Sequence, residues 1–266
     1  MGNIKKKCRL CEQFFNEEEM SEEHYPAHSI GNDDIIALDF TKFVDTLMGE
    51  NEEFKSFVNY QKEMGKDIKH SSNIYFDNYL SKSLFPKGRT ARTLCRKCNT
   101  FIGKYDEAYK KYYMIDGNPK KIKGFQRQTR LFIIKAVFAK FLSIPETQDM
   151  DFDFLDFIRN DSMEEYHGNW MIYFVKRDMS TDLMGLKDIQ TGKIDWNGDG
   201  EKLVYEFSDD KFIYNLLNFE KHSEFEMNCI FDILRNNYSV VEGIHNGRGS
   251  YHENIGLSRL FSQIPQ

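Results

Sequence analysis

No stretch of about 18 apolar residues occurs in the sequence, so no membrane-spanning helix is expected. The amino terminus, MGNIKKKC, is basic, but no apolar core follows it, which argues against a secretory signal. There is no internal repeat and no glycine-rich nucleotide-binding loop. Cysteine is scarce, with five residues, and without a secretory signal these are expected as metal ligands rather than disulfide partners. The expectation is a cytoplasmic protein that does not enter membranes. Its 266 residues, 40% hydrophobic and 29% charged, suffice for one large domain or two small ones with a sizeable core.

An excess of positive charge is also missing. The net charge of −6 argues against a nucleic-acid binder if the chain is taken whole. Its distribution reverses that argument locally. Residues 1–130 carry 23 Lys and Arg against 19 Asp and Glu, whereas residues 131–266 carry 13 against 23. From Lys82 to Arg130 there are 14 basic residues and 3 acidic ones, an electrostatic footprint suited to phosphate. The acidic second half points to contact with a protein.

The stretch CRLCEQFFNEEEMSEEHYPAH has the C-x2-C, twelve-residue, H-x3-H spacing of a DNA-reading zinc finger. Its chemistry does not fit. The recognition helix would hold Asn16-Glu17-Glu18-Glu19-Met20-Ser21-Glu22-Glu23, an acidic face that repels phosphate. Pro26 lies between the two histidines, where the helix should continue. Phe15 suits the small core of a finger, but Ser21 stands where a leucine is wanted.

A second knuckle, Cys95-Arg96-Lys97-Cys98, offers a better partner for Cys8 and Cys11. Two C-x2-C knuckles make a tetrahedral four-cysteine zinc site, the closed structural type. The intervening 83 residues mean that the ion would staple two distant segments. Cys229, in the apolar run EMNCIFDIL, reads as a core residue.

With zinc on the cysteines, His24 is left for chemistry. The pieces CRLC, EHYPAHSIGN and LCRKCNTFIGK, in that order, resemble the HNH, or ββα-metal, nuclease family. The resemblance covers residues 8–32 and 94–104. It implies an α+β fold: a ββα-metal core stapled by the four-cysteine zinc, with a helical insertion and a carboxy-terminal α+β domain. It also implies metal-dependent hydrolysis of phosphodiester bonds, with DNA favoured as the substrate. An RNA-cutting nuclease of the same fold and a non-catalytic zinc-stabilised nucleic-acid-binding module are the alternatives. By resemblance, His24 is the general base, while Glu23 and Asn99 supply oxygen ligands to a catalytic Mg²⁺ or Mn²⁺. Arg92, Arg96, Lys97 and Lys104 are the expected nucleic-acid contacts. Small members of the family with an extra domain serve in antiviral defence in bacteria, sometimes beside an ATPase subunit, and that setting is implied by the resemblance alone.

This sequence departs from the family pattern at the middle asparagine, which usually lies shortly before the second knuckle. The nearest position here is Thr90, which leaves the loop-pinning role unassigned. His28 could be a metal ligand, a phosphate contact or a surface residue.

The expected organisation is a nuclease domain over residues 1–145, with its helical insertion at about 31–90, followed by an accessory domain over 146–266. In the insertion, Phe40, Phe43, Val44 and Leu47 read as a buried helical stripe, and Gly49 as a break. Helices are predicted over residues 99–114 and 125–143, the second amphipathic and ended by Ile144-Pro145. NWMIYFVKRDM and KLVYEFSDD read as strands with a turn at Trp196–Gly200 between them, and EFEMNCIFDILRNN as a helix. His252-Glu253, near the end, reads as polar surface, and Arg248, between two glycines, could reach a partner.

Overall fold

The computed structural model of the chain describes residues 5–30, 32, 35–65, 71, 74–118, 126–177, 191–243 and 251. Arg248, His252 and Glu253 lie outside the described residues. The chain divides into two compact units: one combines the segment up to Asn32 with everything from Arg89 onward apart from a few residues, and the other is built on the segment between. No helix among the described residues is long and apolar enough to cross a membrane.

Along the chain, β1 (Lys5–Lys7) and β2 (Phe14–Asn16) form an antiparallel hairpin, followed by the two-residue strand β3 (Glu23–His24). The intervening unit holds β4 (Ile35–Leu38), α1 (Phe40–Leu47), α2 (Glu52–Glu63) and β5 (Ser81–Phe85), with β4 and β5 antiparallel. Asp39 and Asn51 cap the two helices through their side-chain oxygens, and the break falls at Gly49, whose φ of 73° favours glycine. The apolar stripe is less buried than its spacing suggests, because Leu47 is 69% exposed. Among the described residues of this unit, Phe54 and Phe57 pack on Tyr75.

Beyond the intervening unit, β6 (Thr90–Ala91) pairs with β3, and three helices follow: α3 (Arg96–Met114), α4 (Arg127–Lys140) and α5 (Leu155–Arg159). A five-stranded antiparallel sheet completes this unit, built from β7 (Met171–Lys176), β8 (Thr191–Asp195), β9 (Leu203–Ser208), β10 (Phe212–Leu217) and β11 (Asn228–Cys229) in the order β11-β7-β10-β9-β8. The fold class is therefore mixed α+β.

The sequence leads one to expect α4 as an amphipathic helix, but it is buried on every side, from Leu131 and Ile133 to Ala139 and Lys140. Its two inward lysines are tolerated because each has an internal partner. Lys135 donates to the Asn160 carbonyl and lies 4.6 Å from the Phe157 ring centre, while Lys140 joins two carboxylates. Burial of this helix between α3 and the segment after residue 145 builds the main core of the larger unit, running from Cys8 to Tyr238, beside a second, smaller cluster around Val175, Val204, Ile213 and Tyr251. The charge reversal near residue 145 thus does not coincide with a break in the core.

EFEMNCIFDILRNN also departs from the helix expected of it. Asn228 and Cys229 pair with β7, and only a short 3₁₀ turn follows, at Ile230–Leu234. The sheet edge takes the backbone of these residues, and five residues are too few to sustain an isolated helix.

A buried polar network joins α3 to the sheet. Tyr109 donates to Asp209 and shares a hydrogen bond with Tyr214 at 2.9 Å. Asp209 also accepts from the backbone amides of Lys211 and Phe212, both at 2.8 Å. Burial pushes the Asp209 carboxyl up to about 6 in spite of these donors. The folded state therefore keeps this proton to higher pH than the unfolded chain does. Its stabilising effect is complete below about pH 4 and is lost as pH rises through about 6. Asp209→Asn should abolish this contribution, roughly 3 kcal/mol in size. Denaturant unfolding of both proteins across that window should show a smaller loss of stability with pH in the variant, and parallel curves would contradict the assignment.

Candidate metal centre and the strand that carries His24

Two tight turns bring the cysteines together. In the first knuckle, the Cys8 amide donates to the Gln13 carbonyl and the Glu12 amide to the Cys8 carbonyl, with Glu12 at a φ of 62°. In the second, Cys95 caps α3, its sulfur accepting from the Cys98 amide at 3.4 Å, so the helix begins three residues earlier than its predicted start at 99. The two knuckles are laced by the Cys95 amide on Cys8 Sγ at 3.2 Å and by the Arg9 amide on the Thr93 carbonyl at 2.9 Å.

The sulfurs of Cys8, Cys11, Cys95 and Cys98 all lie within 4.8 Å of one another. Among the described residues no other group of three or more His, Cys, Asp or Glu is close enough to hold an ion. Four soft sulfur donors at such spacing suit a tetrahedral zinc site with no open coordination position. Burial pushes the Cys11 and Cys98 thiols up. Burial acts the same way on Cys8, but hydrogen bonds from the Cys11, Cys95 and Leu10 backbones bring its thiol below the ordinary value. A divalent ion would hold all four as thiolates.

Two arginines brace the first knuckle against the core. Arg9 donates to the Leu142 carbonyl (3.0 Å), Thr147 Oγ1 (2.8 Å) and the Met150 carbonyl (3.0 Å). Arg159 donates to the Leu10 carbonyl and pairs with Glu12 at 2.8 Å.

His24 sits on β3 opposite Thr90 of β6, half-buried, with its ring edge-to-face with that of the exposed His28 at 5.5 Å. Strand alternation turns the adjacent Glu23 inward, where it is 4% exposed. Its carboxylate accepts from Ser143 Oγ at 2.8 Å and faces Lys140 Nζ at 3.4 Å, and the same ammonium contacts Asp106 at 2.8 Å. Burial pushes the Glu23 carboxyl up, against the opposing pull of Lys140. Glu23 is thus a buried anchor for β3, and its oxygens are already engaged. Both oxygens of the side chain expected to serve an exchangeable ion therefore have internal partners.

The open face lies one residue away. Ser21, Glu22, Arg92, Arg96, Asn99 and Thr100 line part of a cavity of about 650 Å³. Asn99, on the first turn of α3, donates its amide nitrogen to Ser21 Oγ at 2.8 Å, leaving its side-chain oxygen for a ligand. Of the expected phosphate contacts, Arg92 faces Glu17 at 3.7 Å and Glu22 at 3.9 Å. Arg96 donates to the Glu18 carbonyl at 2.9 Å, Lys104 pairs with Asp161 at 2.6 Å, and Lys97 is exposed.

One structural residue is missed by sequence reasoning. Asn32, fully buried, donates to the carbonyls of Pro26 (2.7 Å) and Arg89 (2.9 Å) and accepts from the Arg89 amide at 2.6 Å. It pins the loop after His24 to the approach to β6. Thr90, the position weighed for this task, instead donates to Glu22 at 3.2 Å. Asn32 and Arg89 are 57 residues apart, so no local pattern links them.

Comparison of the chain with family models, with curated proteins and with solved structures finds no match.

One zinc per chain is expected on the four cysteines. Zinc binding in small peptides carries apparent energies of roughly 10–16 kcal/mol, coupled to folding. Cys95→Ser should therefore lower the melting temperature and zinc content together. Full zinc retention in a variant lacking all four cysteines would overturn the assignment.

Proposed function

We propose that the chain is a metal-dependent endonuclease of the HNH type, cutting nucleic-acid phosphodiester bonds, with DNA as its first substrate. The supporting observation is the cysteine cluster itself. It ties the segment leading into β3, which carries His24, to the start of α3, which carries Asn99.

In this reading His24 accepts a proton from a water molecule as the water oxygen attacks phosphorus. The P–O bond to the leaving oxygen breaks, and that oxygen is protonated from solvent. Arg92 and Arg96, on the wall of the Asn99 cavity, bind the non-bridging oxygens by exchanging exposed partners for phosphate. Glu22 and the Asn99 side-chain oxygen would hold Mg²⁺ or Mn²⁺, hard ions that keep several waters and need only one or two protein oxygens. When bound, such an ion supplies Lewis-acid stabilisation of the charge on the departing oxygen. Glu23, Lys140 and Ser143 fix β3 so that the neighbouring residues point outward. The zinc would be structural, with no coordination position for substrate.

The two glutamates separate the roles. His24→Ala should keep zinc and stability while losing about 10²–10⁴-fold in cleavage rate. Glu22→Gln should also fold, with activity partly restored by raised Mn²⁺. Glu23→Gln should instead lower stability by about 1–3 kcal/mol, the cost of disturbing a buried hydrogen-bonded group while Asp106 still pairs with Lys140. Plasmid nicking across a metal titration, beside melting curves, measures all three. Wild-type cutting by His24→Ala would sink the mechanism. A stable, metal-rescued Glu23→Gln together with a silent Glu22→Gln would return the ion to Glu23.

A further inference from the structure

The four basic residues first expected to meet phosphate do not exhaust the basic surface. Arg127 and Arg130 on α4 and Arg235 after the 3₁₀ turn line one cavity of about 450 Å³, together with Leu234 and Asn236. Arg130 and Arg235 are 105 residues apart, and the acidic balance of the second half gives no hint that Arg235 belongs to a basic site. Unlike the cavities beside the first knuckle and beside Asn99, this one has no carboxylate among the described residues of its wall.

The three guanidinium groups differ in how they are held. Arg130 is oriented by the carbonyls of Ile233 (3.3 Å) and Arg235 (3.0 Å). Arg127 pairs with Glu164 at 2.9 Å, with both side chains more than half exposed, and Arg235 pairs with Asp232 at 3.1 Å while 77% exposed. An exposed pair such as Arg127–Glu164 is worth only about 0–1 kcal/mol, and the Arg235 side chain is itself mostly exposed, so both guanidinium groups can reach a phosphate from solvent. The planar guanidinium fork matches phosphate oxygens in a bidentate manner. Asn236 adds an amide donor, and Leu234 an apolar wall for an adjoining sugar.

We infer that the Arg127–Arg130–Arg235 cavity binds a backbone phosphate of a nucleic-acid strand, away from the Asn99 cavity. The inference rests on the nucleic-acid reading above but not on cleavage. It gives the basic run a second contact point, and the ligand is a phosphodiester rather than a base, so binding there is independent of sequence.

The test uses fluorescence anisotropy of a labelled duplex DNA and a matching RNA, without Mg²⁺ or Mn²⁺, from roughly 50 to 200 mM salt. The variants are Arg127→Gln with Arg235→Gln, both at exposed positions, and Arg235→Glu alone. A charge-matched control, Lys55→Gln with Lys62→Gln, lies in the intervening unit. The arginine variant should lose about five- to tenfold in affinity near 100 mM salt, and its salt slope should fall by about one. Arg235→Glu should move both in the same direction, and the control should keep the wild-type slope. An arginine variant with the wild-type slope overturns the inference while leaving the nuclease reading intact, as does an equal loss in the control. Inorganic phosphate that raises the wild-type melting temperature, while the arginine variant keeps its nucleic-acid slope, assigns the cavity to a free anion and likewise overturns it. A wild type that binds neither duplex nor RNA removes both readings.

Discussion

The four-cysteine cluster is the constraint on which the rest depends. Its two knuckles are 83 residues apart in sequence, and β3 and β6, which they flank, are only two residues each. Strands so short have no stability of their own, because a two-stranded pair needs a hydrophobic face or a packing partner. The knuckles supply one. Leu10, Met20 and Leu94 around them are buried, Met20 bridges to Cys95, and the Ser21 amide donates to the Leu94 carbonyl at 2.8 Å. With the two ends held, the segment between β3 and β6 can be a separate unit without disturbing their register. Asn32 fixes the point at which the chain leaves.

Buried charge does the complementary work inside the core. The Lys140 ammonium, between Glu23 and Asp106, ties β3, α3 and the end of α4 together. Burial opposes its charge, but the two carboxylates outweigh this and raise its pKa. A buried ion group of this kind adds little net stability over a well-packed apolar core, yet removing Lys140 would leave two buried carboxylates without a counter-charge. Its value here is geometric: it decides which way each residue of β3 points. Asp209 plays the equivalent part between α3 and the sheet, through Tyr109 and Tyr214.

Much of this was legible in the sequence where the signal was local. The paired C-x2-C knuckles announced the cluster, and aromatic and β-branched runs located β7 and β9. Gly49 marked the break between α1 and α2. What could not be read depended on partners far along the chain. Glu23 beside His24 looks like a ligand until Lys140 and Ser143, more than a hundred residues away, are seen to claim it. The spacing of α4 suggested an exposed face because it contains lysines, and only the fold shows that Lys135 and Lys140 find partners inside. Asn228 and Cys229 sit in an apolar run that suits a helix, but the free edge of β7 takes them as a strand. In each case a tertiary partner overrode a local preference.

An ion held by sulfur alone leaves His24 and His28 outside the centre. X-ray absorption at the zinc edge on the purified protein tests this most directly. A shell of four sulfurs at about 2.3 Å with no nitrogen is the predicted result. A mixed shell of two sulfurs and two imidazole nitrogens near 2.0–2.1 Å would contradict it, because it would place the histidines of the opening stretch on the metal.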